Sequence, residues 1–503
     1  LQNAFSVAIG ANAGQSSQST SAIAIGYNAG QSNQFASAVA IGVNAGSTFQ
    51  STNATALGPN AGQRSQGTNA TAIGNNAGTI SQGSYAVAIG DGAGNGSQGQ
   101  NAVAIGYVAG LTNQVGNAVA VGSFAGYSNQ FANAVAIGAN AGQTSQSTNS
   151  IAIGSAAGTT SQGQEAVAIG VASGNSGQGT SATAVGNRTG NASQAPFATA
   201  VGYAAGFTSQ GASAVAMGDR AGFNGQGINT VAIGIIAAST LQGAGAVAIG
   251  NSAGKVSQGN IAVAVGEGSG MTSQGTSAVA VGDSAGQTSQ SQYAVAVGRG
   301  SGSSLQGDAA IAIGNAAGSV SQATLAIAIG KQAGQGSQGA AAIAIGYGAG
   351  NSNQAGNSIC INASGSLVEN TTVGSCVIKP IRGQAGTPNL VYNSTSGEIT
   401  WNNSSRDSKH DITPLLLDST KVYLLEARSF VYNYDVDAGI QSGYIAEEVA
   451  DVDLYFASCS REDGKPFNIN WNAVQVCVVE EMKKLRAEVD ALKAQLAPAP
   501  ASQ

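Results

Sequence analysis

The residues able to do acid–base or nucleophilic chemistry are few in this chain and badly spread for it. Cleaving a glycoside needs two carboxylates converging on one bond, yet Asp91, Glu165, Asp219, Glu267, Asp283 and Asp308 stand singly along the first part of the sequence. Glu447 and Glu448 are adjacent, and a solvated helix face accounts for them. The single histidine, His410, and the four cysteines, Cys360, Cys376, Cys459 and Cys477, fit no zinc-ligand spacing. The cysteines read as buried free thiols, with inter-chain disulfides open for Cys360 and Cys376. Glycines abound, but without the lysine and the strand-to-helix switch of a phosphate-binding loop. The aspartate-bearing repeat of calcium-binding β-rolls is missing too. No cofactor and no metal is expected.

What the chain has instead is a period. A unit of the form AVAIGxxAGxxxQxxx runs 22 times without insertion, and Ala8, Gly10 and Gln18 recur every 16 residues through Ala344, Gly346 and Gln354. That length suits one turn of a β-solenoid carrying two short strands. With columns named by the first copy, column 7 is Val or Ile except at Thr55, Thr71, Thr183 and Thr199, and column 9 is always apolar. Alternation about Ala8 marks a strand. It sends Val7 and Ile9 to one face, read as the dry interior, and Ala8 to the other, where neighbouring chains around a trimer axis would set the size limit. Gly10 and Gly14, the latter replaced once by Ala238, mark turns that need positive φ or close backbone approach. Copies stacked about 4.8 Å apart would repel if charged, whereas the Gln18 column can form a neutral amide ladder. Twenty-two such coils make a rod on the order of 100 Å long.

Composition agrees with this reading. Only 8% of the 503 residues are charged and 74 are glycine, against about 25% charged in an ordinary domain. Basic and acidic residues balance over 1–356, so the net charge of −6 belongs to the remainder. With no basic stripe, nucleic-acid binding is not expected. The longest apolar runs fall far short of the roughly 20 residues that span a bilayer, so no membrane insertion is expected either.

The period dissolves after 356. Residues 357–403 read as a β-rich neck, with 357–365 as one decayed coil and 375–383 and 387–401 as short strands. From 404 the composition becomes that of a small α+β domain, in which Tyr423, Phe430, Tyr432, Tyr434, Phe456 and Trp471 offer an aromatic core. Val478, Met482, Leu485, Val489, Leu492 and Leu496 step at heptad spacing and predict a coiled-coil helix over about 474–496, ended by Pro498 and Pro500. A helix packed on its own domain is the alternative.

The AVAIGxxAG units resemble the head repeats of trimeric autotransporter adhesins, which implies a mostly β, trimeric parallel β-roll over 1–356. The segment SSRDSKHDI (404–412), then YIAEEV (444–449) and the terminal heptads, resembles the intramolecular chaperone domain of phage endosialidase tailspikes and other viral fibres, here 404–503. That second resemblance implies a homotrimer whose chains cut themselves just before a serine. The matching residues are Ser404, as nucleophile on the Asn403–Ser404 peptide carbonyl, and Lys409, as its general base. A desolvated lysine with lowered pKa can activate a serine hydroxyl in this way. Asp407 and Ser408 stand between the pair where the family usually has basic and apolar residues, and Glu447 replaces its usual Gln. Together the resemblances imply a structural fibre on a virion surface, extracellular and tied to host attachment through a receptor or glycan. No substrate turnover is expected beyond that single cut. A bacterial surface adhesin and, more weakly, a glycan-degrading tailspike are the other readings.

Overall fold

A computed structural model describes residues 3–382, 390–393, 396–401, 405–433, 439–460 and 463–496. The chain divides into two compact units, Leu1–Ile381 and Arg382–Gln503. In the first, each repeat closes one turn of a parallel β-solenoid. The first strand of a turn, Val7–Ile9 in the opening copy, pairs in parallel with the next copy, Val7 with Ile23, Ala8 with Ala24 and Ile9 with Ile25. The second, Ser16–Gln18, places Gln18 beside Gln34. The first-strand sheet runs on past the regular repeats, because Ile359–Asn362 pairs with Ile343–Gly346 and Cys376–Lys379 pairs with Ile359–Asn362. The decayed coil thus closes as a further turn.

The interior is the reverse of the one expected from the alternation. Ala24, Ala40 and Ala56 are fully buried and pack against Ala29, Ala45 and Ala61 of the neighbouring column inside their own coils. The Val and Ile columns face outward, and Ile137 and Ile345 keep 39% and 38% of their surface. Width is the reason. A 16-residue coil folds two three-residue strands so nearly back to back that only small side chains, Ala and in a few coils Ser, Thr or Cys, fit between them beside the Gln amide. The size limit on the Ala column is real, but the coil itself imposes it.

Glutamine fills what alanine leaves. Gln18 Nε2 donates to the carbonyls of Val7 and Ala22, at 2.8 and 3.1 Å, tying the second strand to the start of the first in its own coil and to the residue before the first strand of the next. The same amide also donates to the next Gln in most of the stack, as from Gln34 to Gln50 and from Gln114 to Gln130 at 3.1 Å. This is the expected ladder, placed in the interior. Close packing accounts for the two glycine columns. Gly14 lies at φ +56, where a Cβ would stand 2.5 Å from Gln18 Oε1, and Gly10 lies at φ +123, where a Cβ would meet the Gly26 carbonyl oxygen at 2.7 Å. Ala238 accepts the Gly14 position at φ 45.

The second unit has a hairpin, Leu390–Asn393 with Glu398–Trp401, and two short antiparallel pairs, Arg428–Phe430 with Gln441–Gly443 and Ala457–Cys459 with Pro466–Ile469. Its helices are α1, Ala446–Val452, and α2, Trp471–Gln495. Asn470 caps α2 by accepting from the Ala473 N–H. The core is largely aliphatic, built from Val449, Ile469, Val474 and Cys477 around one buried ring, Phe456. The expected aromatic core is therefore corrected, since Tyr423 and Trp471 keep 67% and 48% of their surface. Tyr434 lies outside the described residues. Cys360 stands in the Ala column, fully buried, so it cannot reach another chain, while Cys376 is exposed.

These packing rules predict opposite outcomes for neighbouring positions. Ala136→Leu should destabilise the solenoid by about 1–3 kcal/mol through overpacking. Val135→Thr should be nearly neutral, because other coils carry Thr in that column. Thermal unfolding followed by circular dichroism would distinguish the two.

Candidate assembly surface and processing site

The outward Val and Ile residues form a strip that, within the described solenoid, no other residue covers. It runs from Val7 and Ile9, through Ile105, Ile153 and Ile249, to Ile359, Ile361 and Ile378, with exposures of 36–58%. Contiguous apolar surface on this scale marks an interface. Each side chain withdrawn from water would contribute on the order of 1 kcal/mol. Over the full strip that exceeds the roughly 4–15 kcal/mol cost of association.

Helix α2 shows the same division. Val474, Cys477 and Glu481 face the core, while Met482, Leu485 and Leu492 of the heptad seam keep 64, 56 and 56% of their surface. At about 100° per residue Leu492 shares the side of Val474, and Leu485 lies one turn after Glu481, so the seam continues the core-facing stripe and is exposed because α2 runs on past the residues that pack on the core.

Of the proposed cleavage pair, Lys409 is exposed and directly follows a 3₁₀ turn, Arg406–Ser408, which Ser405 caps by accepting from the Asp407 N–H. Ser404 and Asn403 lie outside the described residues, so the distance between nucleophile and base is not part of the picture. Glu447 is exposed in the first turn of α1, and Glu448 pairs with Arg428 at 2.8 Å. The two carboxylates do not converge on a shared site.

A serine–lysine contact does occur elsewhere, between residues that form no motif in sequence. Lys484 Nζ donates to Ser419 Oγ at 2.8 Å and to Glu481 Oε1 at 2.6 Å, and Ser419 Oγ donates to the same carboxylate oxygen at 2.5 Å. The residues are far apart in sequence, and only the packing of the Ser419–Leu424 3₁₀ turn on α2 joins them. The geometry resembles a nucleophile and its base, but the electrostatics are wrong for it. The hydrogen bond with Glu481 raises the Lys484 pKa, so the lysine stays protonated. Lys484 and Ser419, with the Lys484 bond the stronger influence, hold Glu481 below the usual carboxylate range. The cluster is a polar clamp. A second clamp pairs Lys421 with Asp453 at 2.8 Å, and the Lys421 hydrogen bond lowers the Asp453 pKa.

Among the described residues no group of three or more His, Cys, Asp or Glu could hold a metal. None of the helices there is long and apolar enough to cross a membrane. No family model, curated protein or solved structure matches the chain.

The clamps set an acid limit. Glu481 and Asp453 have lowered pKa values in the folded chain, so their stabilisation is complete above the ordinary carboxylate range and is lost as pH falls through it. Lys421 and Lys484, both raised, keep their contribution until pH climbs past the ordinary lysine range. Both tryptophans, Trp401 and Trp471, lie in the second unit. Their fluorescence in the full chain should report its unfolding between about pH 5 and pH 2, while the solenoid's β-sheet circular dichroism persists.

Proposed function

We propose that this chain is the subunit of a homotrimeric structural fibre displayed on a virus particle and used for host attachment. The observation that carries the reading is the uncovered Val and Ile strip along the whole solenoid. Three copies joined along that strip bury it, and the Ala and Gln interior of each coil stays as it is. This replaces the earlier assignment of the Ala column to the contact between chains.

The C-terminal unit acts as the registering device. A rod with identical turns loses little when one chain slips by a coil. Joining three α2 seams at the end of each chain fixes the register before the solenoids zip together. In this scheme Ser404 Oγ, giving its proton to Lys409, attacks the carbonyl of Asn403, the Asn403–Ser404 C–N bond breaks to leave an ester and a free Ser404 amine, and water hydrolyses the ester to release the registering unit once its work is done. The order of motifs from 404 to the terminal heptads favours the viral fibre over a bacterial surface adhesin. The scattered carboxylates leave a glycan-degrading tailspike without support.

Intact-mass measurement on denatured samples tests the cut. Freshly expressed chain should appear without 404–503, and the Ser404→Ala chain should remain whole. If both keep full mass, the self-cleavage is wrong, and the C-terminal unit is a permanent part of the fibre.

A further inference from the structure

We infer that the turn edge bearing Tyr107, Phe124 and Tyr127 binds an uncharged glycan, an inference that deepens the attachment role proposed above and rests on it. The three rings come from two successive coils. Tyr107 and Phe124 meet edge to face with centroids 5.4 Å apart and planes at 80°, and Phe124 and Tyr127 lie 5.7 Å apart at 41°. Tyr107 is 53% exposed. The rings follow the turns at Gly106 and Gly122, which close the strands of the Val and Ile strip, and the proposal requires that assembly along that strip leave them accessible.

The fold itself does not call for these rings. In the first coil the same columns hold Ala11, Asn12 and Gln15, and in the coil after the platform they hold Ala139, Asn140 and Gln143. Phe124 moreover takes φ 58, a left-handed conformation that Asn12, Asn28, Asn44, Asn60 and Asn76 occupy elsewhere in the column. The turn imposes this conformation on whatever stands in the column, Val108, Arg188, Arg220 and Ile236 included. An aromatic residue there fills no interior position of the coil.

The surroundings select the ligand. No charged residue occurs between Asp91 and Glu165, so nothing near the platform would attract a sialylated, sulfated or phosphorylated group. Carboxamides border the rings, and Gln143 Nε2 donates to Asn140 Oδ1 at 3.5 Å. Flat apolar rings beside neutral donors and acceptors suit a pyranose, whose C–H face stacks on an aromatic ring while its hydroxyls reach the amides. A second aromatic group uses the same columns farther along, where Phe207 stacks on Phe223 at 4.9 Å and 4° near Tyr203. At about 4.8 Å per coil the two lie on the order of 30 Å apart, within reach of one polysaccharide.

The test is a panel of immobilised neutral and sialylated glycans, probed with the full chain and with a Tyr107→Ala, Phe124→Asn, Tyr127→Gln variant built from the first coil's own residues. Wild type should retain neutral glycans, and the variant should lose affinity on the order of tenfold or more, with unchanged native mass and thermal midpoint. Equal binding by both chains, no neutral glycan retained, or a preference for sialylated glycans would overturn the site. Native mass on the same samples separates the two proposals. A trimer that binds no glycan sinks this site alone, and a monomer that binds through the three rings sinks the fibre alone.

Discussion

The width of a 16-residue coil governs the first unit. Two strands of three residues, held back to back by turns at Gly10 and Gly14, leave room for small side chains and one amide. Everything larger is expelled to the outside. The solenoid is therefore unusual for a folded chain in carrying its Ala residues inside and its Val and Ile residues out. Stability comes less from apolar area than from a regular hydrogen-bond lattice, in which Gln18 and its copies tie both strands of every coil together. That lattice is neutral, which suits identical residues stacked at about 4.8 Å.

An inside-out coil leaves the hydrophobic effect unspent within one chain. The proposed trimer would give it an outlet, and the exposed C-terminal half of α2, with Met482, Leu485 and Leu492, would find one in the same assembly. In the second unit, by contrast, ion pairs supplement an aliphatic core. Ser419, bonded to Glu481 and Lys484, pins the Ser419–Leu424 turn to α2, and Lys421 with Asp453 ties it to the C-cap of α1. The solenoid interior has no such titratable contact among its described residues, and so the two units respond differently to acid.

Much of this architecture was legible in the sequence. The period, the two strands per coil, the turn glycines and the amide ladder all follow from residues recurring at fixed columns. Which face was inside did not follow. Alternation at Val7, Ala8 and Ile9 separates two faces but does not say which is enclosed, and hydrophobicity picks the larger residues. The better clue was the invariance of Ala, because a size limit is strictest where space is closed on all sides. The small domain was harder to read. Phe456 is the one ring buried among its described residues, and nothing local marks that ring out from Tyr423 or Trp471. The Ser419–Glu481–Lys484 clamp joins residues that only tertiary packing brings together. Ser404 was chosen by resemblance, and its surroundings lie outside the described residues.

The central claim is that the expelled Val and Ile residues are an interface between copies of this chain. Sedimentation equilibrium on the Ser404→Ala chain, which keeps its full 48.9 kDa, tests it directly. The account predicts a single species with the mass of three chains, stable to dilution. A soluble, folded particle with the mass of one chain would contradict it, since the strip would then remain in water along the whole solenoid.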